Sequence, residues 1–152
     1  MVAQNYARLY RSNSVLTATP GQLVLLMFDG ALTAVALARE AFARPASDFR
    51  RYETINHQII KAQRILSELK GTLKFDVGGE FAPLMERLYE YYIRRLREAN
   101  LSKQPEPLTE VEELLRQIRN AWAEMLRREN TDQASSASGA AAFHGAVGAA
   151  AR

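Results

Sequence analysis

Apolar residues recur at helical spacing over four long stretches of the chain, and no stretch alternates apolar and polar residues as a half-buried strand does. The pattern predicts an all-α protein. The first helix opens at Thr19-Pro20-Gly21-Gln22. There threonine can cap, proline suits the first turn because that turn's N–H groups lack partners anyway, and glutamine stands where a capping box wants Glu or Gln. The helix should run to about Phe42, before Ala43-Arg44-Pro45-Ala46. Ser47 is the expected cap of the second helix. Its apolar positions Tyr52, Ile55, Ile59, Ala62, Leu66, Leu69 and Leu73 follow one another in steps of three and four, giving one stripe.

Gly78-Gly79 breaks the pattern. A third helix is expected to carry Phe81, Leu84, Leu88, Tyr92, Leu96 and Ala99 on one side, to hold Pro83 in its first turn and to end at Asn100. After the loop with Pro105 and Pro107, Thr109-Glu110-Val111-Glu112 reads as a second capping box, followed by the stripe Val111, Leu115, Ile118, Trp122 and Met125. Short connections between helices of similar length favour antiparallel neighbours, so the expected architecture is an up-down-up-down four-helix bundle over residues 19–130. Two flanking stretches differ. Residues 1–18 carry Tyr6, Leu9, Tyr10, Val15 and Leu16, enough apolar surface for a strap that lies on the bundle and leaves it when the surface beneath is occupied. Residues 131–152 are dominated by Ala, Ser and Gly and are expected to form a disordered, dispensable tail.

Apolar content of 47% over 152 residues suffices for one domain with a continuous core. Cysteine is absent, which fits a reducing compartment such as the cytosol. The opening Met1-Val2-Ala3-Gln4-Asn5 lacks the charged start and apolar stretch of a secretory signal. The apolar run from Leu23 to Ala38 is interrupted by Asp29 and Gly30 and is read as too short for a bilayer span. A net charge of +3 invites nucleic acid, but its largest cluster, Arg94-Arg95 with Arg97, lies beside Glu90 and Glu98 and reads as a mixed, solvated helix face. No nucleic-acid partner is expected. A dimetal bundle site would need Glu-x-x-His pairs. The chain has none, its sole histidine within the bundle being His57, so no metal or cofactor is expected. Neither a Gly-x-Ser-x-Gly elbow nor a phosphate cradle after Gly78-Gly79 is present, and no catalytic residues are assigned.

The positive signal is an excess of apolar residues. From Leu23 to Phe28 and on through Leu37 they surround the first helix, where a bundle needs a single stripe. Either a central position in the bundle covers the other sides, or a partner helix does. In the second helix Ile60 and Ile65 lie off the stripe, beside Asn56, Lys61 and Arg64, the mixture of apolar surface and polar anchors that suits peptide recognition. Of Tyr89, Tyr91 and Tyr92, at least one must fall outside the core, because the three span too wide an arc. The expected partner-binding residues are Tyr10, Val15, Leu23, Leu26, Asn56, Ile60, Lys61, Arg64, Ile65 and Tyr89.

Tyr10, Asn13-Ser14-Val15, Thr17-Ala18-Thr19-Pro20, Gln22-Leu23 and Phe28-Asp29-Gly30-Ala31-Leu32 resemble the opening of the flagellin-specific export chaperones, the FliS family. The similarity continues through Lys61-Ala62-Gln63, Ile65-Leu66, Glu68-Leu69, Gly78-Gly79-Glu80, Leu88-Tyr89, Arg94-Arg95-Leu96, Ala99-Asn100, Glu110-Val111-Glu112 and Ala121-Trp122. It covers about residues 4–126. The resemblance implies a cytoplasmic chaperone that binds the disordered C-terminal segment of flagellin, blocks its premature polymerisation and presents it to the cytoplasmic domain of the flagellar type III export gate. Around Tyr10 it implies a contact with that gate. Other flagellar regulators or a co-chaperone remain open as further partners. The rival from the residues alone is a homodimerising adaptor bundle without a flagellin client.

Overall fold

The computed structural model describes residues 17–150, with side chains described to residue 140. Among the described residues the fold is all-helical: α1 (Pro20–Phe42), α2 (Arg51–Gly71), α3 (Phe81–Ser102) and α4 (Glu106–Ala150). The expected strap, with Tyr10 and Val15, lies outside the described residues but for its last two.

The start of α1 is the expected capping box. Thr19 Oγ1 accepts the Gln22 N–H at 3.3 Å, and Thr19 N donates to Gln22 Oε1 at 3.0 Å. The second helix starts later than Ser47 implied. Asp48 N donates to the Pro45 carbonyl at 3.0 Å and Asp48 Oδ1 accepts the Arg50 N–H at 3.0 Å, so a turn built on Asp48 consumes these residues before α2 begins at Arg51. Leu73 falls past the end of that helix. Between α2 and α3, Gly78 and Gly79 both adopt positive φ, 81° and 79°, which side-chain-bearing residues rarely adopt. Helix α3 runs two residues past Asn100, to Ser102, and is followed by left-handed Lys103. Helix α4 starts at Glu106 and not at Thr109. The Pro105 carbonyl accepts the Leu108 and Thr109 amides, which makes the Pro-rich loop the first turn and releases Glu112 from capping.

Contacts between helices fix the topology. Arg51 Nη2 donates to the Phe42 carbonyl at 2.9 Å, and Ile65 lies over Gly30, so α1 and α2 are antiparallel. Asn100 Nδ2 donates to Asn56 Oδ1 at 2.8 Å, and Gln63 Nε2 donates to the Ile93 carbonyl at 3.2 Å, so α2 and α3 are antiparallel too. Arg39 meets Glu112 and Asp29 meets Arg119, which sets α4 antiparallel to α1. Phe28 and Tyr89, 6.4 Å between ring centroids, join α1 to α3 across the interior. This is the expected up-down-up-down bundle.

The core consists of Phe28, Ala31, Val35 and Ala38 from α1, Ile55, Ile59, Ala62 and Leu66 from α2, Tyr92, Leu96 and Ala99 from α3, and Leu108, Val111 and Leu115 from α4. Each large aliphatic side chain so buried contributes about 1.5–3 kcal/mol relative to exposure. Two stripes depart from expectation. In α3 the buried positions are Ala82, Met85, Tyr89, Tyr92, Leu96 and Ala99, whereas Phe81 and Leu84 are exposed and Leu88 is half-buried. The expected set steps mostly by four and drifts around the helix; the observed set alternates three and four and stays on one face. In α2, Tyr52 is 52% exposed, in the first turn, with the Lys103 ammonium 5.9 Å from its ring.

The chain divides into two compact units, Met1–Arg119 and Asn120–Arg152. Ile118 and Trp122 are half-buried and Met125 is 38% exposed. In the second unit the polypeptide is helical to Ala150, with Glu124 paired to Arg127 and Arg128. Every residue from 131 to 140 is exposed. The stretch expected as a disordered tail therefore buries no side chain there, yet its backbone is helical. Alanine has the highest helix propensity, and extending an existing helix avoids the nucleation cost.

By length and composition α1 can cross a membrane, with a hydropathy of 1.7, which the reading of a broken run missed. Its inner face nevertheless packs in the bundle, where Phe28, Ala31, Val35 and Ala38 are fully buried.

Candidate partner-binding surface

The core face of α1 leaves other apolar residues over. Leu23, Leu26 and Leu37, with Gly30 and Thr33 between them, follow one another in steps of three and four and so form a second stripe on the same helix. Gly30 places this stripe beside α2, because it is the residue against Ile65. Leu26 and Leu37 are 39% and 38% exposed, large apolar side chains left uncovered along the α1–α2 seam.

Across the seam, Asn56, Ile60, Lys61, Arg64 and Ile65 line one open concavity of about 540 Å³ on the outer side of α2, with Glu53, His57 and Glu68 along it. Five positions apart on an α-helix is about 140° of rotation, so Ile60 and Ile65 sit on opposite flanks of that outer face. Ile65 faces α1 and Ile60 lies on the α3 side with Asn56. Five of the expected residues, Ile65, Lys61, Arg64, Ile60 and Asn56, thus share the outer side of α2, and Leu23 and Leu26 stand on the α1 stripe that Gly30 places beside it, the two together being called the strip below. Asn56 is not a free anchor, since its Oδ1 already accepts from Asn100. No ion pair joins Lys61 or Arg64 to another described residue.

Tyr89 does not belong to the strip. It is 3% exposed and packs on Phe28, and burial pushes its hydroxyl up to about 12, as it does that of Tyr92. Both remain neutral, filling the core as large apolar bodies. Tyr91, on the rim, donates to Glu110, and this hydrogen bond raises the tyrosine and lowers the carboxylate. Sequence reasoning missed Gly30 and Leu37 as members of the strip, although the three-four spacing from Leu23 carried the signal. Among the described residues no group of three His, Cys, Asp or Glu is placed to hold a metal ion, and His57 lies exposed on the outer side of α2.

The opposite flank of α1 is closed by charge. Arg119 Nε donates to Asp29 Oδ1 at 2.7 Å, which accounts for the carboxylate in an apolar helix. Glu112 accepts from Arg39 Nε at 2.7 Å and from Arg116 Nη2 at 2.8 Å, with its side chain 8% exposed. Burial raises the Glu112 carboxyl, but hydrogen bonds and charge from Arg39 and Arg116 outweigh it and hold the group below its ordinary 4.5. A depressed folded-state value stabilises the fold above about pH 4.5 and loses that contribution as pH falls through the depressed value. Glu112→Gln is therefore expected to cost about 1–2 kcal/mol at pH 7, where both arginines can still reach water. Urea unfolding should show the difference closing as pH falls from 4.5 through the depressed value.

The sequence matches the family described as "Flagellar protein FliS" over residues 2–129. It is 37% identical over 133 residues to the flagellar secretion chaperone FliS of Bacillus subtilis strain 168, covering 88% of this chain and 95% of that protein. The chain belongs to the FliS family. The Salmonella typhimurium strain LT2 member is 36% identical over 121 residues, covering 79% of this chain and 86% of its own. FliSB of Pseudomonas aeruginosa, also a flagellar secretion chaperone, is 35% identical over 122 residues, covering 78% and 90%. FliS is a family of export chaperones and not of enzymes, and an uncovered apolar strip on a closed helical scaffold is the kind of surface that such a role requires.

Proposed function

We propose that the chain is a cytoplasmic export chaperone that binds the disordered C-terminal segment of flagellin along the α1–α2 strip. It keeps that segment from polymerising and delivers it to the cytoplasmic domain of the flagellar export gate. The observation that carries this reading is the second apolar stripe of α1, uncovered beside Ile65 although the same helix already fills the core with its first stripe. Membership of a family of flagellar secretion chaperones supports it.

The mechanism is competition for apolar faces. A flagellin terminus that packs on other subunits through an apolar face cannot do so while that face is buried on the chaperone. Ordering a disordered client consumes about 2–5 kcal/mol or more of the interaction energy, so a long strip is needed to leave useful affinity. Co-purification with flagellin shortened stepwise from its C-terminus tests the reading. Full-length flagellin should be retained and truncation should abolish retention, while equal retention of all lengths would refute it. Were the chain instead a tight dimer through the strip, sedimentation would give a dimer that flagellin does not dissociate.

A further inference from the structure

Among the described residues nothing in the packing of the bundle requires the glycine in the middle of α1. Glycine is the least favourable helix-interior residue after proline, and it is tolerated where the backbone needs positive φ or where a neighbour leaves no space for a Cβ. Gly30 meets neither condition. It lies within α1 and is not among the positive-φ glycines, which are Gly78 and Gly79. Among the described residues a Cβ built on it would approach one atom, Ile65 Cδ1, at 3.4 Å, the edge of ordinary van der Waals contact with the far end of a side chain. The bundle would accept alanine there.

On the outside, Gly30 is a gap in an apolar ridge. Leu26 stands one turn before it and Leu37 two turns after, both uncovered. Ile65 forms the far wall. Beyond that wall Lys61 and Arg64 lack ion-pair partners among the described residues, with Glu68 one turn on. A missing side chain in such a ridge admits one from a helix laid across it.

We propose that Gly30 is a receptor notch that takes one large apolar side chain of an amphipathic client helix, and so sets which segment of the client is held and in what register. The occupant is a client helix with an apolar ridge and a carboxylate on the flank that meets Lys61 and Arg64. This rests on the client-binding reading above and deepens it: the strip supplies area, and the notch supplies selection.

The test uses the full chain, its Gly30→Leu and Gly30→Ala variants, and a peptide of the flagellin C-terminal segment, with binding and thermal unfolding measured on each. Gly30→Leu should bind at least about thirtyfold more weakly, corresponding to about 2 kcal/mol, with helical content retained. Gly30→Ala should unfold at the same or a higher temperature yet bind several-fold more weakly, and it carries the test if Gly30→Leu does not fold. Adding Ile65→Val to Gly30→Ala separates two causes. Because Ile65 itself lines the strip, the double variant is read against Ile65→Val alone: weakening that persists relative to Ile65→Val supports the notch, whereas binding equal to that of Ile65→Val would mean that the new methyl acted by pushing Ile65, and would overturn it. If Gly30→Leu binds within about threefold of the parent while Leu26→Asp loses binding, the notch is wrong and the strip stands. If the parent chain binds no flagellin segment, both fall.

Discussion

Leu26→Asp is expected to weaken binding of the flagellin C-terminal segment by tenfold or more while leaving the unfolding temperature within a few degrees. Leu26 is 39% exposed in the free chain and belongs to the second stripe of α1, not to the core. Covering the 39% of the leucine still exposed with a client contributes about 1 kcal/mol. A carboxylate at the same place forfeits that gain and adds the cost of removing a charge from water, and each 1.4 kcal/mol is a factor of ten in affinity. The cost to the fold is the lower helix propensity of Asp, about 0.7 kcal/mol or less, plus about 1 kcal/mol for the part of the leucine already covered. Parallel isotherms and melting curves check it; collapse of the fold would place Leu26 in the core.

Phe28→Ala, two residues along the same helix, should do the reverse. Phe28 is fully buried against Tyr89, at the point where α1 and α3 meet across the interior. Truncation removes the transfer energy of the ring and leaves a cavity, about 3–5 kcal/mol together. A domain of this size is stable by only about 5–15 kcal/mol, so the denaturant midpoint should fall sharply. The molecules still folded should bind the flagellin segment much as the parent does. A variant that stays stable but does not bind would reverse the assignments of the two stripes.

That Leu26 and Phe28 have opposite expected effects shows how much was legible before the structure. The sequence showed that α1 is apolar on all sides, but periodicity alone cannot say which stripe faces inward. The Gly30–Ile65 contact and the Phe28–Tyr89 contact decide it. Tyr89 was misplaced for a related reason. An expected α3 stripe stepping by four put it on the rim, whereas the three-four register of Met85, Tyr89 and Tyr92 puts it in the core. The capping box at Thr19 was legible because it is local, made by two side chains three residues apart. Glu112 was not, because its partner Arg39 is 73 residues away, and a local motif offered a plausible use for the same carboxylate. Asp29 is a similar case, a carboxylate interrupting an apolar run whose partner, Arg119, only the fold supplies.

Isoleucine methyl spectra of the chain, recorded with and without the flagellin C-terminal segment, test the central claim most directly. Ile55 and Ile59 are fully buried in α2, whereas Ile60 and Ile65 lie on its outer flanks, Ile65 against Gly30. The account predicts that binding shifts or broadens the Ile65 and Ile60 methyl signals strongly and leaves Ile55 and Ile59 close to their free positions. Saturating flagellin segment that leaves Ile60 and Ile65 unmoved would contradict it, because the client would then be held somewhere other than the strip.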